Sequence, residues 1–389
     1  MRIALMTESY YPYINGVITH VETLKKGLEA AGHQVLIVTL SPAHKEHTIE
    51  NGILYCPAKP VLSDYGYGVA YPRCRERLKL LAQFKPDLIH MHTEGTLGVF
   101  SLHAARRLRV PLVYTLHTMY NDYLFYVCKN RAGQHVITTG GKFYFRRLCK
   151  CAAQIIGPSE KTAAYLHQMG VKKPVNVIPN TVDLTDFGKD CAAPEEIAAL
   201  RQELGIAPEE VAACFVGRLG QEKSVDVLIR RFARQEKQGW KLFIIGDGPE
   251  RENLARQVQE AGLSDRIRLL GRIDHEKLPL YYQAFDLFTT ASVTEMHSIS
   301  MLEAMASGLY CLVAYDPKNE QQVEKDVSGE MFADDATFGV LLDRELSMDK
   351  KERLARREHL EAHMKRYGCR EFVENILSVY EKALNLQRV

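Results

Sequence analysis

Residues 292–314 read SVTEMHSISMLEAMASGLYCLVA and carry two glutamates eight residues apart, Glu295 and Glu303. A strand-like run, 284–291, precedes them, and the apolar run 309–314 after Gly308 predicts the next strand. The pattern predicts that Glu295 ends a strand-to-helix loop and that Glu303 lies about two turns into the helix. At about 100° per residue, eight positions return to within about 80° of one face, roughly 12 Å along the axis. Two acidic acceptors so placed beside a helix N-terminus suit a nucleotide-sugar. The near carboxylate takes sugar hydroxyls, the far one takes ribose hydroxyls, and the helix N-terminus faces the phosphates between them. The plain alternative is two solvated glutamates on an amphipathic helix.

The surrounding chain has 389 residues, 46% hydrophobic and 25% charged. That is ordinary globular composition in a chain too long for one core, so two domains are expected. No run of about eighteen apolar residues occurs, which argues against a membrane-spanning helix. The start runs into a strand without a signal-peptide pattern, and the nine cysteines show no zinc spacing. Reduced thiols in a cytoplasmic protein are therefore expected. The net charge of +2 is unevenly placed: residues 1–185 hold 22 Lys and Arg against 12 Asp and Glu, and residues 186–389 hold 28 against 36. A basic half beside an acidic half suggests an anionic partner for the first, either a membrane surface or nucleic acid.

In the first half, RIALMTE at 2–8 predicts a buried strand, followed by an Asn15-Gly16 loop and a helix over 17–31 stopped by Gly32. HQVLIVTL at 33–40 predicts the second strand of a Rossmann-like unit. Gly16 lets backbone approach a ligand at the helix start. The loop is not G-x-G-x-x-G and no acidic residue follows the second strand, so a dinucleotide is not expected. LIHMH at 88–92 and PLVYTL at 111–116 predict strands that bring His90, His92 and His117 to carboxyl ends, where such folds bind ligands. No carboxylate or cysteine spacing supports a metal trio, so one functional histidine, His117, is expected and no metal. Beyond it, Tyr120, Tyr123 and Phe143 interleave with Lys142, Arg146, Arg147 and Lys150. Phe143, Arg146, Arg147 and Lys150 are neighbours on a helix, a mixture that suits an anionic lipid boundary. A packed helix with a solvated basic face is the plain alternative. Stacking and phosphate contacts would also suit nucleic acid, but no nucleic-acid motif occurs and no such partner is expected.

The polar stretch 188–195 predicts the linker, giving domains over 1–187 and 188–369, with a final helix, 370–389, returning to the first. VAACFVGRL at 211–219 opens a second α/β repeat. Its loop leads to a helix beginning near Glu222, so Arg218 and Lys223 project where two cations and backbone donors can hold a diphosphate.

Taken in order, the motifs are Asn15-Gly16, His117, Ile178-Pro179-Asn180 with Asp183, Gly217-Arg218-Leu219 with Glu222-Lys223, Gly246-Asp247-Gly248-Pro249, and Glu295 with Glu303. This set, spread over nearly the whole chain, resembles the retaining glycosyltransferases of the GT-B fold, in family 4. The resemblance implies an α/β chain of two Rossmann-like domains facing across a cleft, the first taking acceptor and the second donor. It implies Arg218 and Lys223 on the diphosphate, Glu303 on the ribose, Glu295 on the sugar hydroxyls and His117 near the reacting centre. His117 and Glu295 are then the expected catalytic residues, and Gly16, His297, Ser298 and Ile299 complete the donor-binding set.

The segments LHTMYNDYLFY and YDPKNEQQV look most like the diacylglycerol glucosyltransferase branch. That implies a hexose moved from UDP-glucose to a lipid acceptor by a peripheral protein on the inner face of the cell membrane, with no cofactor or metal. Tyr120, Tyr123, Lys142, Arg146, Arg147 and Lys150 would then face acceptor and membrane. Departures from the family pattern are Asn15 and Thr181 and Ser298 where glycine is usual, and Tyr310-Cys311 where Pro-Val is usual. Thr181 and Ser298 add side chains where backbone normally nears ligand, which bears on the donor sugar. Two other readings stay open: a soluble or surface-polymer acceptor, and a non-catalytic nucleotide-sugar binder.

Overall fold

Strands rich in Val, Ile and Leu, buried on both faces, assemble into parallel sheets covered by helices. The computed structural model describes the chain except residues 12, 14, 62–67, 119–130, 189–190, 317–321 and 388–389, and the side chains of 131–138 and 387. The described chain divides into two units, Met1–Thr181 with Cys369–Val389, and Val182–Gly368.

In the first unit the strands are β1 (Arg2–Thr7), β2 (Gln34–Ser41), β3 (Thr48–Glu50), β4 (Ile53–Pro57), β5 (Lys59–Pro60), β6 (Gly68–Val69), β7 (Leu88–Met91), β8 (Leu112–Thr115), β9 (Gln154–Gly157) and β10 (Asn176–Val177). Eight of them form one sheet in the order β10-β9-β8-β7-β1-β2-β4-β3, parallel except for β3. β1 pairs β2 on one side and β7 on the other, so the strand order reverses there. The carboxyl ends beside such a reversal are where open α/β sheets bind ligands.

The helix Gly16–Ala30 starts where the sequence places it, because the Asn15 side chain accepts from Ile18 N at 3.0 Å. It buries Ile18, Val21, Leu24 and Leu28 on the sheet. The helix Cys369–Gln387 adds Phe372, Val373, Ile376, Val379, Tyr380 and Ala383 to the same core. A Cβ at Gly27 would lie 2.4 Å from Val373 Cγ2, so these two helices meet at a point that glycine keeps open.

The second unit holds β11 (Val211–Val216), β12 (Trp240–Ile245), β13 (Ile267–Gly271), β14 (Leu287–Thr290), β15 (Tyr310–Ala314) and β16 (Gly329–Phe332). They form an all-parallel sheet in the order β13-β12-β11-β14-β15-β16. Along β11, Ala212, Cys214 and Val216 belong to one apolar layer, and Val211, Ala213 and Phe215 belong to the other. This period of two shows that the sheet is covered on both faces. The order reverses at β11, which pairs both β12 and β14.

The unit changes at 181/182, earlier than the polar linker at 188–195. Val182 and Phe187 pack into the second core, and Ser307 Oγ donates to Phe187 O at 3.0 Å. The boundary between the units therefore precedes the polar stretch, which belongs to the second unit.

Ile376 is fully buried between the two helices and the sheet. Ile376→Ala should lower the unfolding free energy by about 2–5 kcal/mol in urea titrations. Arg370→Ala, on a side chain 92% exposed in the same helix, should change it by no more than about 0.5 kcal/mol.

Candidate functional site

The reversal at β11 sets the geometry of the second unit's site, because the loops after β11 and β14 leave adjacent strands. Lys223, in the first loop, donates to Glu295 Oε1 in the second at 2.5 Å. Ser292 Oγ and Thr294 Oγ1 donate to the Glu222 carbonyl at 3.3 and 3.2 Å, tying the loops again. Arg218 donates through Nε and Nη2 to Glu222 Oε1 at 3.2 and 2.8 Å. The Glu222 carboxylate is almost wholly buried, so it fixes where the guanidinium points. The helix expected from Glu222 begins later: a 3-10 turn spans Gln221–Lys223, Ser224 turns left-handed at φ 51°, and the helix is Val225–Ala233.

A third loop braces the first. Leu219 N donates to Asp247 O at 3.0 Å, and Glu250 N donates to Leu219 O at 2.9 Å. A Cβ at Gly246 would fall 1.8 Å from the Gly217 carbonyl oxygen, and Gly246 has φ +136°. A Cβ at Gly248 would fall 2.5 Å from Leu219 O. Both glycines are there because backbone passes against backbone.

Glu295 and Glu303 do not share a helix. The helix is Ile299–Ala306, so Glu295 lies in the loop before it and Glu303 is little more than one turn in. Ser298 sets this start: its hydroxyl accepts from Met301 N at 3.3 Å. Gln322 clamps Ser298 from both sides, accepting from its N–H at 2.8 Å and donating to its carbonyl at 2.6 Å. The Ser298 side chain is therefore a helix cap, and Gln322 is a positioning residue with no recognisable spacing in the sequence. Ile299 begins the helix in a buried position. His297 is buried, and burial pushes its pKa down to about 4. Glu303 is buried and accepts from His275 Nε2 at 2.8 Å and from Tyr282 O–H at 3.3 Å. Burial and then the Glu303 carboxylate hold the Tyr282 hydroxyl far above its ordinary pKa.

In the first unit, His92 and His117 follow β7 and β8, and His92 Nδ1 lies 3.0 Å from His117 Nε2. The third member of this group is His20, whose ring centroid is 4.6 Å from that of His117. His20 was not singled out by its sequence context, although it shares the buried face of its helix with Val21, Leu24 and Leu28. His90 turns to Tyr380 and Thr115, at 2.7 Å from each hydroxyl. Burial drives the pKa of His20 down to about 4 and those of His90, His92 and His117 well below the ordinary value. Asn180 Oδ1 receives His20 Nδ1 at 3.0 Å. Glu8, at the end of β1, accepts from Thr93 Oγ1 at 2.8 Å and Thr96 N at 3.1 Å, bracing the loop after His92. Thr181 is buried, with its hydroxyl 4.0 Å from Cys369 Sγ. Gly16 opens its helix in this unit, whereas the other expected donor residues belong to the second.

The helix Arg131–Cys151 buries Phe145, Leu148 and Cys149 and exposes Phe143, Arg146, Arg147 and Lys150. Lys142 is half-buried, and Phe143 is 72% exposed. Arg146 is partly committed, since its Nε donates to Met169 O at 2.9 Å. Tyr144 O–H donates to Glu94 O at 2.5 Å and fastens the helix beside the histidine loops. Tyr120 and Tyr123 lie outside the described residues. Among the described residues, no helix is long and apolar enough to cross a membrane.

Comparison with known proteins adds family to geometry. Residues 14–186 match the family described as Glycosyltransferase Family 4, and residues 196–368 match that described as Glycosyl transferases group 1. The chain is 33% identical over 344 residues to the alpha-monoglucosyldiacylglycerol synthase of Acholeplasma laidlawii, covering 85% of each chain. It is 30% identical over 334 residues to the synthase of the same name from Streptococcus pneumoniae, covering 85% of this chain and 75% of that one. Among solved structures, Anabaena HepE in complex with UDP-glucose matches with a TM-score of 0.73 and 20% identity, over 97% of this chain and 98% of that one. Sucrose-phosphate synthase from Thermosynechococcus elongatus matches with a TM-score of 0.75 and 20% identity, over 98% of each. At such identity the structural likeness speaks for the fold alone, which is the GT-B fold implied by the motifs.

Gly246→Ala should lower the unfolding free energy of the second unit or abolish its folding, because Gly217 cannot retreat without dragging Arg218 and Lys223. Circular dichroism with urea titration reads either outcome. The buried imidazoles also make stability pH-dependent. His20 and His297 keep pKa values of about 4 when folded, against 6.5 for an ordinary imidazole. Their contribution is intact above about pH 6.5 and is lost as pH falls toward 4, because only the unfolded chain takes up the proton. The loss is about 1.4 kcal/mol per pH unit per imidazole. Urea unfolding at pH 7.5, 6.5 and 5.5 measures the slope, and a flat profile would contradict neutral burial.

Proposed function

This chain belongs to glycosyltransferase family 4, in its glycolipid synthase branch, and on that premise we propose that it transfers glucose from UDP-glucose to diacylglycerol with retention at the anomeric carbon. The observation that carries the reading is the Lys223–Glu295 contact at the β11/β14 reversal, flanked by Arg218 on Glu222. Two cations and an acidic acceptor so grouped support a nucleotide-sugar spanning them. Arg218, Lys223 and the backbone donors at the start of the helix Ile299–Ala306 take the diphosphate. They stabilise the charge that develops as it leaves, so the step needs no metal. Glu303 keeps lone pairs beyond those used by His275 and Tyr282, and these accept from the ribose hydroxyls.

The bond between the anomeric carbon and the diphosphate oxygen breaks, and the sugar gains oxocarbenium character. The acceptor hydroxyl attacks from the same face, and its proton passes to the departing phosphate oxygen. Glu295 holds sugar hydroxyls. Its pairing with Lys223 withdraws charge from the carboxylate, which favours holding over nucleophilic attack. His117, neutral and half-buried, contacts the sugar near the reacting centre. The exposed Phe143, with Arg147 and Lys150 beside it, supports a peripheral seat on an anionic membrane at the cytosolic face.

The test is donor turnover with UDP-glucose, UDP-galactose, UDP-N-acetylglucosamine and GDP-mannose, each with and without diacylglycerol in anionic micelles. Glucolipid formed from UDP-glucose only with lipid present is the expected result, and retention is read from the anomeric configuration of the product. Release of UDP without glycolipid would overturn the acceptor, and silence with every donor would favour a non-catalytic binder. Glu295→Gln should lower turnover by about 100-fold or more. Arg147→Glu/Lys150→Glu, which spares Arg146, should weaken sedimentation with anionic liposomes; unchanged sedimentation would remove this helix from the membrane contact.

A further inference from the structure

The histidine group of the first unit holds more imidazole than one sugar contact requires. Each of His20, His92 and His117 offers a ring nitrogen, and these nitrogens lie within 4.8 Å of one another. Neutral histidine has one donor and one acceptor nitrogen. His20 Nδ1 faces the Asn180 carboxamide oxygen and so carries the proton, which leaves Nε2 as a bare acceptor. That Nε2 is buried and has no hydrogen-bond partner among the described residues, and the same is true of His92 Nε2. Two unsatisfied buried nitrogens in one cluster are costly, at about 1–3 kcal/mol each, and they call for a ligand.

We propose that His20, His92 and His117 form a binding site for a late first-row transition-metal ion, with Zn2+ as the reference ion. Three imidazoles without a carboxylate suit Zn2+, Co2+, Ni2+ or Cu2+ and do not suit Mg2+ or Ca2+. At zinc–nitrogen distances of about 2.0–2.1 Å, tetrahedral ligand nitrogens stand roughly 3.3 Å apart. The cluster reaches that by ring rotation, with His92 binding the ion through Nε2 and His117 Nε2 exchanging its hydrogen bond from His92 for the ion. Asn180 orients His20 through its other nitrogen, as outer partners of metal-binding histidines do. His117 is only half-buried, so the ion has an approach from solvent.

The consequence for activity rests on the proposed function. That reaction needs no metal and uses His117, so a bound ion would inhibit it by withdrawing the imidazole.

The experiment uses the full chain after treatment with a chelator. Zn2+ titrated by calorimetry should bind one ion per chain, and Co2+ should give the visible absorption of a low-coordinate nitrogen site. His20→Phe and His92→Phe should each weaken binding by at least about tenfold, as should Asn180→Ala, which keeps every ligand. His167→Ala, which removes an exposed imidazole elsewhere, should leave binding unchanged. Ring-nitrogen NMR on the unaltered chain keeps the test decisive if a variant fails to fold: Zn2+ must shift His20, His92 and His117. Absence of stoichiometric binding, or shifts confined to other histidines, would overturn the proposal. Zinc bound at these rings in a chain that turns over no donor would leave the site standing and remove the transfer reaction. Turnover with no zinc bound would do the reverse.

Discussion

The bond between Lys223 and Glu295 depends on two loops leaving neighbouring parallel strands, and much of the second unit exists to keep those loops in place. Neither side chain is deeply buried, at 19% and 20% exposure, so the pair contributes little stability by itself. What holds it is the backbone around it. Ser292 and Thr294 fasten to the Glu222 carbonyl, and Gly246 and Gly248 let a third loop lie against Gly217 and Leu219. The cations are positioned by carbonyls and glycines, and the carboxylates Glu222 and Glu295 keep them pointed.

The sheets were legible from the sequence because a strand buried on both faces must be apolar at every position. VAACFV has that property throughout and RIALMT has it from Ile3 to Met6, and each became a central strand. The loops after those strands were legible through their glycines. The pitch of the helix after Glu295 was not, because E-x7-E reads the same whether the first residue is helical or not. Its start depends on Ser298 as a cap and on the distant Gln322 amide. The linker was misplaced for a related reason: polarity at 188–195 says only that the segment is wet, and Phe187 just before it is already core.

The histidines show the limit from another side. His90, His92 and His117 were visible because strand ends carry them, but only the structure shows that His90 bonds Tyr380 and Thr115 while His92, just past the end of β7, bonds His117. Their partner His20 arrives on a helix more than seventy residues away, where one histidine on an apolar face reads as ordinary packing. Only the fold brings these rings together, and burial then keeps them uncharged.

The contact of Gly27 with Val373 also bears on how the chain comes off the ribosome. The first unit needs residues 369–389 to close its core, and Tyr380 to answer His90. When its sheet has been synthesised, that helix has not. The second unit is one continuous stretch and can complete its core as soon as it emerges. Domains commonly fold in order from the N-terminus; here the half made first must wait, with an apolar groove beside Leu24 and Leu28, for the last segment to be translated. A chaperone able to shield that groove would act on the nascent chain throughout synthesis of the second unit.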